Sequence, residues 1–576
     1  MKNIRRCLVI SIALFSIVVS AGMARVSSAD SAVTQPLPTP TPGSKPTPIL
    51  LGTPVPAPSP TPFAKPSPGS AKKQSLEDLQ ATIRNRMLAP EVRHGRVGIK
   101  IVSLNSGKVI VENDADKYFT PASNMKNFTV AAALEKLGPD FKFKTRVYGA
   151  RPDSAGFVKG DLRIIGGGDI TISTAFFGTS VDDPETYYKG IDRLVDKISA
   201  AGVKRVEGDL VGDEGYFRGF AVPPTWEWDD LQWRDGSEVS ALPINDNDVD
   251  LSIKPGAPGQ PCVVKITPPN TLFKIENVCT TSGAGTKRQL TVNKRLDQNY
   301  LWVGGSMPAD DKAFTGALAV SHPADLFLAI LRERLAKRGI LVGGQTNTFH
   351  NNDYHPTTPL RPVTDRFTAD MVPTELTSVE SPPFSVIAAK TMKPSQNMYT
   401  ETILWALGEI ANTRDPGYII KIDNSPLPQR PNSFDLGLAQ TKSFRDLVGI
   451  APDAVIQYDG SGMSRHDVIT PNAVVQLYTY MAKQSKNAQV WLDSLSIGGV
   501  DGTLRNRFKG TAAEGNMRGK TGTLDQVSAL SGYITTASGE KLIVSIIVNG
   551  VPKTIDRTSL ADDIVVSLAT FTGKID

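Results

Sequence analysis

Histidine is scarce: there are five in 576 residues. His94, His322 and His466 stand alone, so a Ser-His-Asp triad has little material to draw on. The sequence holds no His-Glu-x-x-His and no Gly-x-Ser-x-Gly. His350 and His355, with Asp353 between them in "HNNDYH", have donor chemistry but read as a solvated polar loop. No metal or other cofactor is called for. Net charge is also small. The formal value is +5, and four of those charges (Lys2, Arg5, Arg6, Arg25) lie in the first 29 residues, which carry no acid. The remainder is close to neutral, which gives no argument for a nucleic-acid partner. After the N-terminus no segment approaches the roughly 20 apolar residues of a membrane span. The 40% hydrophobic, 21% charged composition is globular, and excludes a coiled coil or a collagen-like rod.

Cysteine is scarcer still, at positions 7, 262 and 279. Cys7 lies within "MKNIRRCLVISIALFSIVVSAGMA", a basic start followed by an apolar run. With the small residues of "VSSA" ending at Ala29, this reads as an export signal, or as an uncleaved anchor of the same polarity. The expected location is the periplasm or cell envelope. Cys262 and Cys279 then form a local pair in a chain bound for an oxidising compartment, where a disulfide is expected. The alternative is two buried thiols.

What is present in excess is proline, from Thr34 to Lys73. Such density precludes a packed core and favours extended polyproline II. The segment reads as a semi-rigid spacer that associates the protein with a wall or membrane, or as a leader with no such task. The chain thus divides into a signal at 1–29, a Pro-rich linker at 30–74 and a globular body from 75 onward.

That body opens with "SLEDLQATIRNRML", where Leu76, Leu79, Ile83 and Met87 share a helical face and Ser75 and Asp78 are placed as a capping box. "RVGIKIVSLNSGKVIVEN" follows as a hairpin turning at Asn105-Ser106-Gly107. The far end has a similar hairpin, "QVSALSGYITTASGEKLIVSIIVNG", and a closing helix, "RTSLADDIVVSLATF". Strands at both ends flanked by helices imply one antiparallel sheet assembled from the two termini. Between them, from about residue 146 to 362, short strand-like runs alternate with Gly, Pro and Asp turns, and only "YKGIDRLVDKISAAG" and "HPADLFLAILRERLAKRG" are clear helices. This segment reads as one or two inserted, mainly β domains, between catalytic segments at 75–145 and 363–576. Gly166-Gly167-Gly168 is a turn rather than a phosphate loop, because no Gly-Lys-Ser/Thr follows.

Three short motifs carry the chemistry. Ser123 and Lys126 form Ser-x-x-Lys at the front of an apolar helix that Gly138-Pro139 stops. Ser395 and Asn397 form Ser-x-Asn just after Pro394, between two helical segments. Lys520, Thr521 and Gly522 form Lys-Thr-Gly at the start of a strand, with Thr523 next. Singly these are weak signals. Ser-x-x-Lys also occurs at Ser70 and Ser538, and Ser-x-Asn at Ser103 and Ser485. Only Ser123, Ser395 and Lys520 combine the right order with the right setting. Residues i and i+3 of a helix share a face, so the Lys126 amine can reach the Ser123 hydroxyl. Burial favours a neutral amine, and only a neutral amine can take a proton. The competing readings are a lysine snorkelling out of a core helix, a helix cap at Ser395 and an exposed strand-edge charge at Lys520.

On these motifs the chain resembles the penicillin-binding proteins, and in particular the low-molecular-mass D-alanyl-D-alanine carboxypeptidases/endopeptidases with large domains inserted between Ser-x-x-Lys and Ser-x-Asn. "GDLVGDEGYF", "SALPINDNDVDL", "YDGSGMSRHDVITP" and "GGVDGTLRNRF" are further family-like stretches, while "GGGDITIS" lacks the expected proline after its aspartate. The resemblance implies an α/β (α+β) transpeptidase-like catalytic domain, with an antiparallel sheet flanked by helices, an all-helical lobe and the cleft between them. It implies that Ser123 is the nucleophile, Lys126 its base and Ser395 a proton relay. Asn397 would hold the substrate amide. Lys520, Thr521 and Thr523 would bind the terminal carboxylate, and Gly522 would allow close backbone approach. The backbone amides of Ser123 and Thr523 would form the oxyanion hole. The implied substrates are peptidoglycan stem peptides ending in D-Ala-D-Ala, with β-lactams as acylating mimics. A β-lactamase, or a catalytically silent wall-binding module, is the alternative.

Overall fold

The computed structural model describes residues 74–178, 183–349, 373–414 and 432–575, all within the unit Leu50–Asp576. The signal, the Pro-rich stretch and the "HNNDYH" loop lie outside the described residues.

A six-stranded antiparallel sheet is built from both ends of the chain. Its order is Val109–Asn113, Arg96–Ser103, Lys541–Asn549, Val527–Thr535, Arg518–Leu524, Ser496–Ile497. The N-terminal hairpin meets the C-terminal one along Arg96–Ser103, whose partners run from Asn549 back to Leu542. Lys541–Asn549 is almost continuously apolar because both faces of the sheet are covered. Leu542, Val544, Ile546 and Val548 enter the core shared with the helices Leu76–Met87 and Thr554–Ala569. Ile543 and Ile547 enter the opposite core, against the helical lobe. The capping box is present: Asp78 N–H donates to Ser75 Oγ, and Ser75 N–H to the Asp78 carboxylate.

The helical lobe comprises Lys126–Lys136, Phe384–Met392, Asn397–Arg414, Ser433–Val448, Pro471–Lys483 and Ala488–Ser494. Lys126–Lys136 is its centre, with every residue from Lys126 to Leu134 buried. Its buried polar groups, Lys126, Asn127 and Thr129, are hydrogen-bonded, and Ala131, Ala132 and Ala133 let its neighbours close on it.

The intervening residues have a core of their own. A five-stranded mixed sheet runs in the order Thr346–Phe349, Leu210–Asp213, Leu162–Ile165, Lys144–Gly149, Thr374–Glu380. The helices Lys189–Ala200 and Pro323–Lys337 and three smaller sheets complete the region. Thr374–Glu380 falls in the segment assigned from sequence to the second catalytic part, yet it pairs with Lys144–Gly149 at the edge of this sheet. The chain therefore leaves and re-enters the helical lobe side by side. Gly166 to Gly168 are not the turn expected from sequence: the run continues irregularly from the strand Leu162–Ile165, bonded to Asp213 and Ala241, and a Cβ at Gly166 would lie 2.2 Å from the Ala241 carbonyl oxygen. Cys262 and Cys279 are joined in a disulfide, with their Cα atoms 5.4 Å apart.

Candidate active site

Ser123 lies in a 3-10 turn, Ala122–Met125, that feeds directly into the Lys126–Lys136 helix. Sequence spacing predicted an α-helical start. The tighter turn stacks residues i and i+3 more directly over one another, and Lys126 Nζ sits 2.9 Å from Ser123 Oγ. Lys126 is fully buried, so it does not snorkel. Its amine has two other neighbours, Asn397 Oδ1 at 2.6 Å and the Ser461 carbonyl oxygen at 2.7 Å. Asn397 Nδ2 donates to the Asp235 carbonyl, which fixes the amide with its oxygen toward Lys126.

These neighbours define what the amine can do. Two of the three are pure acceptors. A neutral amine gives one N–H to each and is left with its lone pair facing the Ser123 hydroxyl. Burial pulls the Lys126 amine down to about 8, against the opposing pull of Asp459, Glu401, Asp235 and Asp467. The neutral form is therefore reachable near physiological pH.

Lys520, in the strand Arg518–Leu524, closes the other side. It is fully buried, which removes the reading as an exposed edge charge. Its Nζ donates to Ser395 Oγ at 2.7 Å and to the Thr521 carbonyl at 2.8 Å. Burial, and then the nearby Lys126, hold it well below its ordinary value. Ser395 sits at φ +66° between Phe384–Met392 and Asn397–Arg414, an uncommon backbone for a serine. The bond it makes is to Lys520, and Asn397 is the member of Ser-x-Asn that meets Lys126.

Gly522 brings the strand onto the Ser123 turn. A Cβ there would lie 2.4 Å from the Pro121 carbonyl oxygen and 3.1 Å from the Ser123 amide nitrogen. Asn124 Nδ2 donates to the Lys520 carbonyl, and Ser531 Oγ donates to Asn124 Oδ1. These bonds hold turn and sheet together. Thr521 Oγ1 donates to Thr503 Oγ1 at 2.7 Å, and Thr523 is exposed. All eight residues named from the motifs thus lie on three segments that converge around one serine hydroxyl. Among the described residues, no group of three or more His, Cys, Asp or Glu side chains is arranged to hold a metal.

Sequence reasoning missed the wall behind Lys126, made of Ser461, Glu401, Asp459 and Asp467, with Asp235 on the flank. The stretch "YDGSGMSRHDVITP" holds three of these, and its density of Gly, Ser and Asp was the available signal.

Comparison with known proteins places this geometry in a family. The model of the D-Ala-D-Ala carboxypeptidase 3 (S13) family matches residues 79–571. The chain is 30% identical over 499 residues to the D-alanyl-D-alanine carboxypeptidase of Actinomadura sp. (strain R39), covering 84% of each protein. It is 26% identical over 464 residues to the D-alanyl-D-alanine carboxypeptidase DacB of Haemophilus influenzae, covering 79% of this chain and 85% of that one. The crystal structure of penicillin binding protein 4 (dacB) from Haemophilus influenzae shares the fold, with a TM-score of 0.69 at 23% identity over 84% of this chain and 99% of that one. The chain belongs to the D-Ala-D-Ala carboxypeptidase 3 (S13) family and is a serine peptidase of the low-molecular-mass penicillin-binding type.

Proposed function

We propose that this carboxypeptidase hydrolyses D-Ala-D-Ala ends, or D-Ala cross-links, of peptidoglycan stem peptides through an acyl-enzyme on Ser123 Oγ. The observation that carries the assignment is the Lys126 amine, whose two N–H groups have acceptors and whose third neighbour is the Ser123 hydroxyl. Serine alone is a weak nucleophile and requires such a base. Lys126 takes the hydroxyl proton as Oγ attacks the carbonyl of the penultimate D-alanine. The C–N bond then breaks, and the leaving amine receives a proton relayed through Ser395. Water attacks the resulting ester and gives a proton to Lys126, the bond between the acyl carbon and Ser123 Oγ breaks, Lys126 returns that proton to Oγ, and the stem peptide leaves with a free carboxylate. Lys520 and Thr521, with Thr523 at the open side, receive the terminal carboxylate of the substrate, and Asn397 holds its amide. The buried Lys520 amine regains its charge when a carboxylate arrives beside it, because an opposite charge favours the protonated form. A β-lactam carries the same carbonyl and carboxylate and acylates the same oxygen.

The finer organisation belongs to the same proposal. Residues 1–29 export the chain to the cell envelope, and the Pro-rich segment to about residue 74 spaces the body from a membrane or threads it into the wall. The inserted region spans 144–380, a division supported by the pairing of its first and last strands. The catalytic body is formed by 75–143 with 381–576.

The test is product analysis with purified cross-linked and uncross-linked muropeptides. Release of D-alanine from uncross-linked pentapeptides identifies the carboxypeptidase, and conversion of cross-linked dimers to monomers identifies the endopeptidase. Both should disappear in Ser123→Ala. Full activity in that variant would refute the assignment of the nucleophile.

A further inference from the structure

The Lys126 amine leans on a wall that the acyl-transfer scheme leaves without a task. The turn Asp459 to Ser464 is wound around two buried carboxylates. Glu401 accepts from the Gly460 N–H at 2.9 and 3.1 Å and from the Ser461 N–H at 2.7 Å. Asp459 accepts from the N–H groups of Gly462 and Ser464 and from Trp226 Nε1. The turn is pressed against the nucleophile segment on both sides. Thr129 Oγ1 donates to the Gly460 carbonyl, and a Cβ at Gly462 would lie 1.9 Å from the Ala122 carbonyl oxygen. The carbonyl between these contacts, that of Ser461, is the one that meets Lys126. Glu401 also lies one helical turn after Asn397, so one face of the Asn397–Arg414 helix governs both acceptors of the amine.

We propose that Glu401 is a positioning residue for acylation: it holds the 460–461 backbone so that the Ser461 carbonyl aims the Lys126 lone pair at Ser123, and its carboxylate faces that amine. This rests on the reading of Ser123 as the nucleophile. Glu401 touches no substrate atom and acts through Lys126. The charged groups facing Lys126 are Asp459, Glu401, Asp235 and Asp467, with Lys520 on the sheet side. Glu401 itself faces Asp459 and Lys126, and its charge reaches Asp467. Burial and the neighbouring Asp459 push Glu401 up to about 8, so it gains its charge in the same range in which Lys126 loses its own. A negative Glu401 holds a proton on Lys126 and so delays the base. Replacing it with a neutral isostere has a definite sign: the amine becomes neutral at lower pH.

The experiment follows acylation of the full chain by benzylpenicillin across pH, for the native protein and Glu401→Gln, with quenched samples weighed by mass spectrometry. Varying the penicillin concentration separates binding from the acylation rate constant. In Glu401→Gln the acid limb of the rate profile should move to lower pH by about one unit. The plateau should fall about tenfold as the backbone loses one acceptor, with the binding constant unchanged. A profile that superimposes on the native one, or that moves the other way, would overturn the proposal. So would a variant that fails to fold by circular dichroism, because the carboxylate would then serve the fold rather than the amine. If the native protein itself forms no adduct on Ser123, the nucleophile assignment fails instead, and the two failures are told apart in one series.

Discussion

At the scale of single residues the protein is organised around one amine. Among the described residues, no charged group is bonded to Lys126. Its three neighbours are a hydroxyl, an amide oxygen and a carbonyl oxygen. That arrangement suits a neutral base better than a structural cation, since buried charges are normally paired. As the proposed base, Lys126 works only when deprotonated, so benzylpenicillin acylation should rise with pH and level off above about 8. Lys126→Arg keeps the charge but cannot give up its proton, and should slow acylation by at least about a hundredfold, a loss within the range for removing a general base. Native rates in that variant would show that the proton leaves by another route. The Ser123–Lys126 pair was legible in the sequence because it is local: three residues apart, at the front of an apolar helix. The Ser461 carbonyl was not. A main-chain oxygen has no residue type to betray it, and it reaches Lys126 from 335 residues along the chain.

At the scale of elements, a strand is held flat against a turn. Gly522 allows this, because any side chain there meets the backbone of Pro121 and Ser123 rather than a side chain that could swing aside. Gly522→Ala should force the strand away from the nucleophile turn. A displacement near 1 Å can cost about a hundredfold in rate, so a comparable loss of acylation is expected with little loss of melting temperature, measured by calorimetry alongside. Unchanged acylation would mean that strand and turn need not touch. The disulfide acts elsewhere. Cys262 and Cys279 are 17 residues apart in the inserted region, and the chain-entropy account assigns such a loop about 3 kcal/mol. Cys262→Ser with Cys279→Ser should therefore lower the denaturant midpoint without altering the acylation rate. Most elements were readable from period and punctuation, including the capped first helix, both end hairpins and the two long helices of the insertion. The strand Thr374–Glu380 was harder. Its pairing partner lies more than two hundred residues upstream, and local pattern carries no information about which distant edge a strand will join.

At the scale of the whole molecule, the two ends of the described chain build one sheet. Arg96–Ser103 pairs with Lys541–Asn549, the sheet so formed carries Lys520, and the helices on its inner face carry Lys126 and Asn397. The similar hairpins at the two termini made this legible, because each exposes an edge that the other can complete. The inserted region contributes to the site through the main chain: the Asp235 carbonyl orients Asn397, and Arg234 beside it is paired with Asp248 at 2.6 Å. Strand-like runs marked the insertion in the sequence, but its contact with the catalytic amide, again a main-chain oxygen, was not readable. The central claim is that segments some 270 and 400 residues apart from Ser123 converge to make its hydroxyl the acylated atom. Peptide mapping by mass spectrometry after incubation of the folded protein with benzylpenicillin tests this most directly. A penicilloyl adduct on the peptide containing Ser123, absent in Ser123→Ala, is the predicted result; an adduct on another residue, or none on the folded native protein, would contradict it.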